Sequence, residues 1–367
     1  MYIHEQKDWP NFHWDGGKLA IPLAETRYRQ GRLLGRMGAL GFGLREEATL
    51  HTLTRDVVKT SEIEGEKLNQ ELVRSSLARR LGMDIGAESS VDRQVEGIVE
   101  MMLDATRHYE APLTEERLSG WHAALFPSGR SGLRRITVGG WRTDASGPMQ
   151  VVSGPFGRER VHYEAPGHER LKPEMSRFLQ WINAPAETDL VIKSGLAHFW
   201  FMTLHPFDDG NGRIARALAD LMLARSEHSN QRFYSMSAQI QKERKAYYEV
   251  LEQRQKGTLD VTTWVAWFLD CLGRAIGSAE ETLQAVLVKA EFWKVHAGAS
   301  LNDRQRMIIN RLLDGFEGKM TSSKWAKLAK CSHDTALRDI GDLVGRRILK
   351  KDEAGGRSTS YQLCLSG

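Results

Sequence analysis

The feature that most constrains this chain is an apolar stretch that runs into a proline and then a glycine-rich turn. Residues 191–204 are apolar on almost every side, which predicts a buried helix rather than an amphipathic surface helix. Pro206 cannot continue the helical hydrogen-bond ladder and disfavours helical geometry at the residue before it, so the helix should end at or near His205. The imidazole of His205 would then emerge from the core.

The turn after Pro206 predicts an anion site. Residues 208–212, Asp-Asp-Gly-Asn-Gly, form a turn sequence in which glycine and asparagine tolerate the positive φ angles that let several N–H groups converge on one ligand. A second helix should begin near Gly212, and the N–H groups and positive dipole end of a helix favour an anion. Arg213 and Arg216 lie three residues apart in its first turn, which indicates a polyphosphate.

Each of these residues has an ordinary explanation when it is taken alone. A histidine at the end of an apolar helix is often a satisfied core residue, aspartates are common in turns, and both arginines could be solvated surface charges. The run resembles half of a calcium loop only weakly, because it lacks the spaced carboxylates and the distal glutamate. Together, however, a base, a carboxylate, free N–H groups and paired arginines are what transfer of part of a nucleotide requires.

Residues 205–216 match the signature of a known family at every fixed position. The run His-Pro-Phe-Asp-Asp-Gly-Asn-Gly-Arg-Ile-Ala-Arg resembles the Fic (filamentation induced by cAMP) motif, His-Pro-Phe-x-Asp/Glu-Gly-Asn-Gly-Arg-x-x-Arg. The resemblance implies a protein adenylyltransferase that moves AMP from ATP to a Ser, Thr or Tyr hydroxyl of a target protein, or of the chain itself, and releases pyrophosphate. It implies a mainly α fold, with a Fic-type helical domain that carries a β-hairpin flap.

The same resemblance implies a role for each loop residue. His205 would be the general base that takes the proton from the target hydroxyl, a task that suits an imidazole near neutral pH. Asp209 would hold Mg²⁺ against the phosphates of ATP, since hard cations prefer carboxylate oxygen. Phe207 should pack inward and fix the loop. The other ATP-binding candidates in the loop are Asp208, Gly210, Asn211, Gly212, Arg213 and Arg216.

An upstream helix carries a carboxylate on its buried stripe. Helical spacing relates Leu50, Leu53, Val57, Thr60 and Glu64. Gly65 should end this helix, and the residues alone leave open whether Glu64 meets a cation in the core or solvent at the helix end.

Residues 60–65, Thr-Ser-Glu-Ile-Glu-Gly, resemble the inhibitory motif Ser/Thr-x-x-x-Glu-Gly/Asn of Fic proteins that carry their own brake. In such proteins the glutamate pairs with the second arginine of the loop, here Arg216, and blocks the productive pose of the ATP γ-phosphate. Our hypothesis is that Glu64 competes with that phosphate for the Arg216 guanidinium, which can bind either partner through two hydrogen bonds. We further expect Thr60 to bond the Asn211 side of the loop.

Residues 139–166 predict strands at 139–142, 149–154 and 161–166, the last two joined by a turn at 157–160. A plain surface hairpin is one explanation. The Fic resemblance implies instead a flap that holds the target peptide as an added strand, with Val151, Val152, Ser153 and Gly154 against ATP. It also makes Tyr248 and Gln255 our candidates for the adenine pocket, whereas core packing is expected for Tyr247.

The domain prediction follows from these segments. A length of 367 residues suggests two or three domains. We predict an N-terminal helical domain with the inhibitory helix over residues 1–110, a Fic catalytic domain over 111–296, and a winged helix-turn-helix domain over 297–367. In the last, helices near 303–313, 321–329 and 332–345 should precede a two-stranded wing at 348–361.

The basic charge of the chain concentrates at this end. Residues 301–367 hold 13 Lys and Arg against 8 Asp and Glu, although the whole chain carries only +4. Residues 332–335 would open a DNA recognition helix, but Asp334, Asp339 and Asp342 oppose a DNA-binding face, and many winged helices contact only proteins. The candidate phosphate contacts are Arg338, Arg346, Arg347, Lys350, Lys351 and Arg357.

Several alternatives remain open from sequence. The protein could be a DNA-binding regulator that senses nucleotide, or a Fic-fold enzyme that uses another phosphate donor or removes AMP. Three cysteines without Cys-x-x-Cys spacing, no signal-like start and no long uncharged apolar segment predict a cytoplasmic location and no membrane partner. The target protein, the signal that relieves the brake, and assembly as a homodimer cannot be read from the sequence.

Overall fold

A computed structural model describes the chain except for residues 84–91, 146, 156, 314–315, 317, 353–358 and 365–367. The described part is mainly helical, as predicted, and it divides into two compact units, residues 1–279 and residues 280–367. The finer division into three domains stays a prediction. No helix in the described part is both long and apolar enough to cross a membrane.

In its described part, the first unit contains five α-helices before its first strand, and polar side chains cap four of them. They are α1 (Gly16–Gly38), α2 (Phe42–Ile63), α3 (Gln70–Leu81), α4 (Arg93–Arg107) and α5 (Glu115–Leu125). The side chains of Asp15, Asn69, Asp92 and Thr114 accept hydrogen bonds from the first-turn N–H groups of α1, α3, α4 and α5. Local sequence therefore fixes where most of these helices start.

Short strands follow, and then the helices that surround the predicted loop. The strands are β1 (Arg130–Ser131), β2 (Arg134–Arg135), β3 (Gln150–Ser153) and β4 (Arg160–Glu164). The helices are α6 (His168–Asn183), α7 (Leu190–Leu204), α8 (Asn211–Glu227), α9 (Met236–Lys242), α10 (Arg244–Gln255) and α11 (Thr262–Val295). The strands pair as two antiparallel hairpins, β1 with β2 and β3 with β4.

Helices α7 and α8 form the centre of the first unit. Every residue from Val191 to Leu204 is buried, and α8 buries its apolar residues from Ile214 onward. Gly195 lets α11 approach α7, because a Cβ at this position would lie 3.0 Å from the ring of Phe268. Both predictions for this region are confirmed: the first helix ends at His205, and the second begins one residue before Gly212.

The β3–β4 hairpin confirms the predicted pairing in this region. Gln150 pairs with Glu164 and Ser153 pairs with Arg160, with a register shift between Val151 and Val152. The predicted strand at 139–142 is wrong, because these residues have no ladder partner and the chain bends at Gly139 and Gly140. The backbone N–H of Arg142 donates instead to the carbonyl oxygen of Pro206 at 2.9 Å.

The second unit has its own core. Its elements after α11 are α12 (Asp303–Leu313), β5 (Met320–Thr321), α13 (Ser322–Leu328), α14 (His333–Gly345), β6 (Leu349–Lys351) and β7 (Ser360–Leu363). The strands form one antiparallel sheet in the order β5-β7-β6, and the buried side chains of Ile308, Trp325 and Leu343 belong to its core. The helices predicted near 303–313, 321–329 and 332–345 are present, and β6 and β7 pair within the segment predicted to hold two strands, whereas β5 was not predicted.

Candidate active site

The candidate active site begins where α7 ends in a strained residue. His205 adopts φ 48°, a left-handed conformation that costs a non-glycine residue roughly 1–3 kcal/mol and persists only where neighbouring contacts enforce it. Arg142 supplies that enforcement: its buried guanidinium donates through Nε to the carbonyl oxygen of His205 at 2.8 Å, and also to the carbonyl oxygen of Pro166. Asp144 pairs with the same guanidinium at 2.8 Å. The position of the imidazole is therefore fixed by contacts more than sixty residues away in sequence.

The environment of His205 determines its protonation state. Burial lowers its pKa to about 4, against the opposing effects of its bond to Met202 and the charges of Glu64 and Asp209. The Nδ1 atom lies 3.3 Å from the carbonyl oxygen of Met202, and a carbonyl can only accept, so Nδ1 carries the proton. Nε2 of the neutral ring is then left with a lone pair, which is the form that a general base requires.

The turn after His205 is braced by its own side chains. Phe207 is fully buried, as predicted, and its ring stacks on His122 with the ring centroids 4.2 Å apart. The side-chain amide of Asn211 bonds both backbone groups of Phe207, accepting from its N–H at 3.0 Å and donating to its carbonyl oxygen at 2.8 Å. Gly210 has φ 79°, and a Cβ there would lie 2.9 Å from the ring of Phe126. The turn therefore needs glycine at this position.

The two aspartates of the turn have different partners. Asp208 accepts from the backbone N–H of Thr137 at 2.8 Å, so its carboxylate ties a neighbouring segment to the turn. Asp209 accepts from the N–H of Gly210 at 2.6 Å and from the hydroxyl of Ser131 in β1. The described residues contain one cluster of three potential metal ligands, Asp144, His168 and Glu169, and Asp209 is not part of it.

The N-terminus of α8 is covered by a carboxylate. Nη2 of Arg216 donates to Oε1 of Glu64 at 2.6 Å, and Arg216 is itself 1 % exposed. Burial opposes the charge of this guanidinium, yet Glu64 and the neighbouring tyrosines raise its pKa. A Cβ on Gly212 would lie 2.2 Å from Oε1 of Glu64, so the carboxylate sits directly against the first turn of α8. The first N–H groups of a helix have no intrahelical partner, and this is where an anion binds.

Thr60 also contacts Arg216, which corrects one expectation. Its hydroxyl accepts from Nε of Arg216 at 2.7 Å, and its carbonyl oxygen accepts from Nη2 at 3.0 Å. The expected contact between Thr60 and the Asn211 side of the loop is wrong, because the amide of Asn211 is occupied by Phe207. The last turn of α2 and the residue that follows the helix, Glu64, thus hold one guanidinium through three acceptors.

A second carboxylate, which the sequence analysis missed, holds the other arginine. Nη1 of Arg213 donates to Oε2 of Glu66 at 2.8 Å, and Arg213 is 1 % exposed. The guanidinium also lies over the ring of Phe126, 5.1 Å from its centroid. Glu66 follows the inhibitory motif by one residue, so its sequence position beside Gly65 was the signal that could have identified it.

The flap is attached to α10 rather than to the loop. Nδ1 of His162 lies 2.7 Å from Glu252, and Arg160 donates to the same carboxylate at 3.2 Å. Burial opposes the charge of Glu252, but its bonds to Lys256 and His162 lower its pKa to about 2. The predicted ATP contacts of the flap are Val151, Val152 and Ser153 in β3 and the following Gly154. Within the described part of the chain, no hydrogen bond joins these four residues to residues 205–216. Half of Val152 is exposed.

The two adenine-pocket candidates differ in their surroundings. Nε2 of Gln255 donates to the carbonyl oxygen of Met202 at 3.2 Å, the same oxygen that His205 contacts, so its amide supports the end of α7. Tyr248 is partly buried with the Arg244 guanidinium 5.6 Å from its ring centroid, and burial and the Glu64 charge raise its pKa. Tyr247 is fully buried, as expected, and its hydroxyl lies 2.9 Å from Nε2 of His198.

The basic residues of the second unit are partly paired within it. Asp339 is buried and binds Arg304, with Oδ2 2.9 Å from Nε. The expectation that Asp339 opposes a DNA-binding face is therefore wrong. Asp342 pairs with Arg346 at 2.8 Å, which engages one of the candidate phosphate contacts. Another candidate, Arg357, lies outside the described residues. The winged-helix assignment and DNA binding stay predictions.

Two known families match parts of this chain. Residues 112–223 match the family described as Fic/DOC, a range that includes α5, the flap, α7 and most of α8. Residues 2–83 match a domain of unknown function, DUF4172, which covers α1 to α3 and therefore Glu64 and Glu66. The two matches together contain the residues that meet at the N-terminus of α8.

Curated relatives match a limited part of the chain. The protein adenylyltransferase Fic of Culex quinquefasciatus is 33 % identical over 132 residues, which are 34 % of this chain and 25 % of the relative. The protein of the same name from Drosophila melanogaster is 30 % identical over 131 residues, again 34 % of this chain and 25 % of the relative. The chain thus spans about a quarter of the length of the curated relatives that it matches.

Solved structures share the fold over a longer range. A Fic family protein from Desulfovibrio desulfuricans G20 superposes with a TM-score of 0.54 at 20 % identity, covering 97 % of this chain and 98 % of that chain. A Fic domain containing signaling protein from Bacteroides thetaiotaomicron gives a TM-score of 0.51 at 18 % identity, covering 73 % and 98 %. At these identities the likeness concerns the fold. Residues 112–223 of this chain therefore match the Fic/DOC family, and the full loop signature at residues 205–216 lies within that match.

Proposed function

We propose that the protein is an auto-inhibited protein adenylyltransferase, which transfers AMP from ATP to a hydroxyl of a target protein and releases pyrophosphate. The observation that carries the proposal is the pairing of a neutral His205, with its Nε2 lone pair free, and an anion site with two buried arginines at the start of α8. A base beside a polyphosphate site can deprotonate a hydroxyl at the moment when that hydroxyl attacks phosphorus. The relatives named protein adenylyltransferase support this choice of reaction.

In the proposed reaction the target hydroxyl oxygen forms a bond to the α-phosphorus of ATP while the bond from that phosphorus to the pyrophosphate oxygen breaks. Nε2 of His205 takes the hydroxyl proton. Arg213, Arg216 and the N–H groups at the start of α8 stabilise the charge on the phosphates. No covalent enzyme intermediate is needed, so positioning and charge stabilisation supply the rate enhancement.

Asp209 is our candidate ligand for Mg²⁺. Its carboxylate lies at the start of the anion site, and its neighbours Ser131 and Gly210 leave oxygen lone pairs unoccupied. Mg²⁺ is typically bound by one or two protein carboxylates together with substrate phosphates, so a single aspartate fits this donor set. The ion would neutralise phosphate charge during the transfer.

The proposed inhibition follows from the occupant of the anion site. The Glu64 carboxylate lies where a phosphate oxygen would meet Arg216 and the first turn of α8. A guanidinium binds carboxylate and phosphate with similar geometry, so the two compete for the same donors. We infer that Glu64 keeps ATP from its productive pose and that its removal activates transfer.

For the acceptor, we propose that the target segment pairs with the flap. The β3–β4 sheet has two strands, so each strand keeps one edge unpaired within the sheet, and β3 is largely exposed. Main-chain pairing to such an edge binds an extended peptide with little dependence on its side chains. Val151, Val152, Ser153 and Gly154 are then the residues that would bring the target hydroxyl toward ATP.

Mass spectrometry can test the proposed function directly. The Glu64→Gly variant is incubated with ATP and Mg²⁺ in a cell lysate and searched for protein adducts with the mass of AMP less water; Glu64→Gly/His205→Ala serves as the control. We expect adducts on the variant itself or on lysate proteins that the control lacks. Absence of any adduct from either source would refute the proposal. Parallel incubations with CTP, GTP and UTP identify the nucleotide donor.

A further inference from the structure

The two arginines of the anion site are held by two carboxylates, not one. Glu64 binds Arg216 at 2.6 Å and Glu66 binds Arg213 at 2.8 Å, and both guanidinium groups are almost completely buried. The Glu64–Arg216 pair is the one that the inhibitory motif anticipates. The Glu66–Arg213 pair involves a residue outside that motif and a different part of the site, so it needs its own explanation.

The end of α2 positions both carboxylates. The N–H of Glu66 donates to the carbonyl oxygen of Ser61, and the N–H of Gly65 donates to that of Glu62, which together form a Schellman turn. Gly65 lies in the left-handed region with φ 85°, as such a turn requires. Because the turn fixes the backbone from Glu64 to Glu66, both side chains face α8 from one rigid corner. Their two partners lie one helical turn apart on α8.

The buried surroundings of Arg213 favour an anion beside its guanidinium. The side chain of Arg213 is 1 % exposed, whereas that of Glu66 is 33 % exposed. The Glu66 carboxylate can therefore move into solvent, while the Arg213 guanidinium cannot. Nε of Arg213 is buried and has no acceptor in the described part of the chain. A buried cation that loses its carboxylate needs another anion, because an unpaired buried charge is strongly unfavourable. A phosphate oxygen satisfies that need with the same hydrogen bonds.

We propose that Glu66 is a second inhibitory residue, which competes with phosphate for Arg213, a different arginine from the one that Glu64 holds. The inference rests on the anion site of the proposed function. The site then has two anion positions, one at Arg216 and one at Arg213. A pyrophosphate unit, free or within a nucleotide, is the ligand that would occupy both. Release of Glu64 alone then leaves one position blocked, and full affinity requires that both carboxylates move.

Pyrophosphate binding tests this inference without depending on catalysis. Isothermal titration calorimetry at physiological ionic strength would compare Glu64→Gly with Glu64→Gly/Glu66→Gln, in which glutamine keeps the size of the side chain but removes its charge. We expect the second substitution to tighten pyrophosphate binding about fivefold, which corresponds to roughly 1 kcal/mol. Glu66→Gln alone should change the affinity less than it does in the Glu64→Gly background, because Glu64 still covers Arg216.

A matched control separates competition from general electrostatics. Glu62 lies at the same helix end and pairs with Lys59 at 2.6 Å, so Glu64→Gly/Glu62→Gln removes the same charge without freeing an arginine of the site. We expect less than about a twofold change from it, since Glu62 pairs with Lys59 and with neither arginine of the site, and salt screens its longer-range effect. An equal effect of the Glu62 and Glu66 substitutions, or no effect of the latter, would overturn the inference.

A second substitution and a second readout complete the test. Should Glu66→Gln fail to give a folded protein by circular dichroism, Glu66→Ala takes its place with the same expected increase. Incorporation of labelled AMP is measured on the same proteins at ATP concentrations below saturation. Tightened pyrophosphate binding with no AMP transfer in any variant would retain the role of Glu66 and reject the proposed function. Transfer with unchanged pyrophosphate affinity would do the reverse.

Discussion

The loop of the candidate active site and the flap are built in opposite ways. The loop, residues 205–212, has buried side chains, such as Phe207 and Asn211, and is held by Arg142, Thr137 and Ser131 from other segments. The flap, β3 and β4, exposes much of Val152 and Val161 and contacts the rest of the unit mainly near its base and at Glu252. We infer that the site fixes the geometry of phosphate chemistry and leaves the acceptor surface open to extended chains of varied sequence.

This contrast predicts that damage to the loop abolishes the reaction, whereas damage to the flap changes only how well an acceptor binds. Each substitution is made in the Glu64→Gly background, so that inhibition by Glu64 does not mask its effect.

The largest effect is expected from His205→Ala. Loss of a general base typically lowers a rate by about 10²–10⁴-fold, and the alanine side chain cannot accept the proton. Single-turnover AMP transfer with ATP at saturation measures the effect on chemistry alone. A loss of less than about tenfold would mean that the proton leaves by another route.

Arg142→Met should give the next largest loss. The substitution keeps much of the side-chain volume but leaves the carbonyl oxygens of His205 and Pro166 without their donor, in a buried place. We expect a destabilisation of about 2–4 kcal/mol in urea unfolding and a fall in kcat of more than about tenfold. Arg158→Met in the exposed flap turn is the matched control, and it should change neither quantity. Normal kcat in Arg142→Met would show that the loop holds itself.

A smaller effect is expected from Glu252→Gln. This change weakens the contacts of His162 and Arg160 with α10, so the flap should sample more orientations. We predict an increase of about threefold in the KM for a protein acceptor, with the KM for ATP unchanged. An equal rise in both constants would contradict the division of labour between flap and loop.

The smallest effect concerns pH. Because burial lowers the pKa of His205 to about 4, the imidazole stays neutral as the pH falls from 7.5 to 5.5, and the rate should fall by less than about twofold. An imidazole with an ordinary pKa of about 6.5 would lose close to tenfold over the same range. Initial rates in buffers of constant ionic strength distinguish the two cases, and the steeper profile would show that substrate binding restores an ordinary pKa.

The sequence predicted the loop well because its geometry is encoded locally. Pro206 ends α7, Gly210 permits the left-handed turn, and apolar spacing defines α8, all within about twenty residues. The end of α2 was predicted for the same reason, since the helix stops just before Gly65, as the sequence position of that glycine suggests.

The sequence did not predict what holds the loop. Arg142, Ser131 and Glu66 lie 63 to 147 residues from their partners His205, Asp209 and Arg213, and a charged or hydroxyl side chain carries no local sign of so distant a contact. The mistaken prediction of a strand at 139–142 has the same origin, because the backbone N–H of Arg142 donates to the carbonyl oxygen of Pro206 and not to a neighbouring strand. Tertiary contacts overrode a reasonable local pattern there.

We propose that this chain transfers AMP and that Glu64 prevents the transfer in the wild type. Incorporation of AMP from ATP labelled at the α-phosphate, measured side by side for wild type, Glu64→Gly and Glu64→Gly/His205→Ala, tests both statements at once. We expect little label in the wild type, at least about tenfold more in Glu64→Gly, and background in the double variant. Equal labelling of wild type and Glu64→Gly would contradict the inhibition, and labelling that survives His205→Ala would contradict the mechanism.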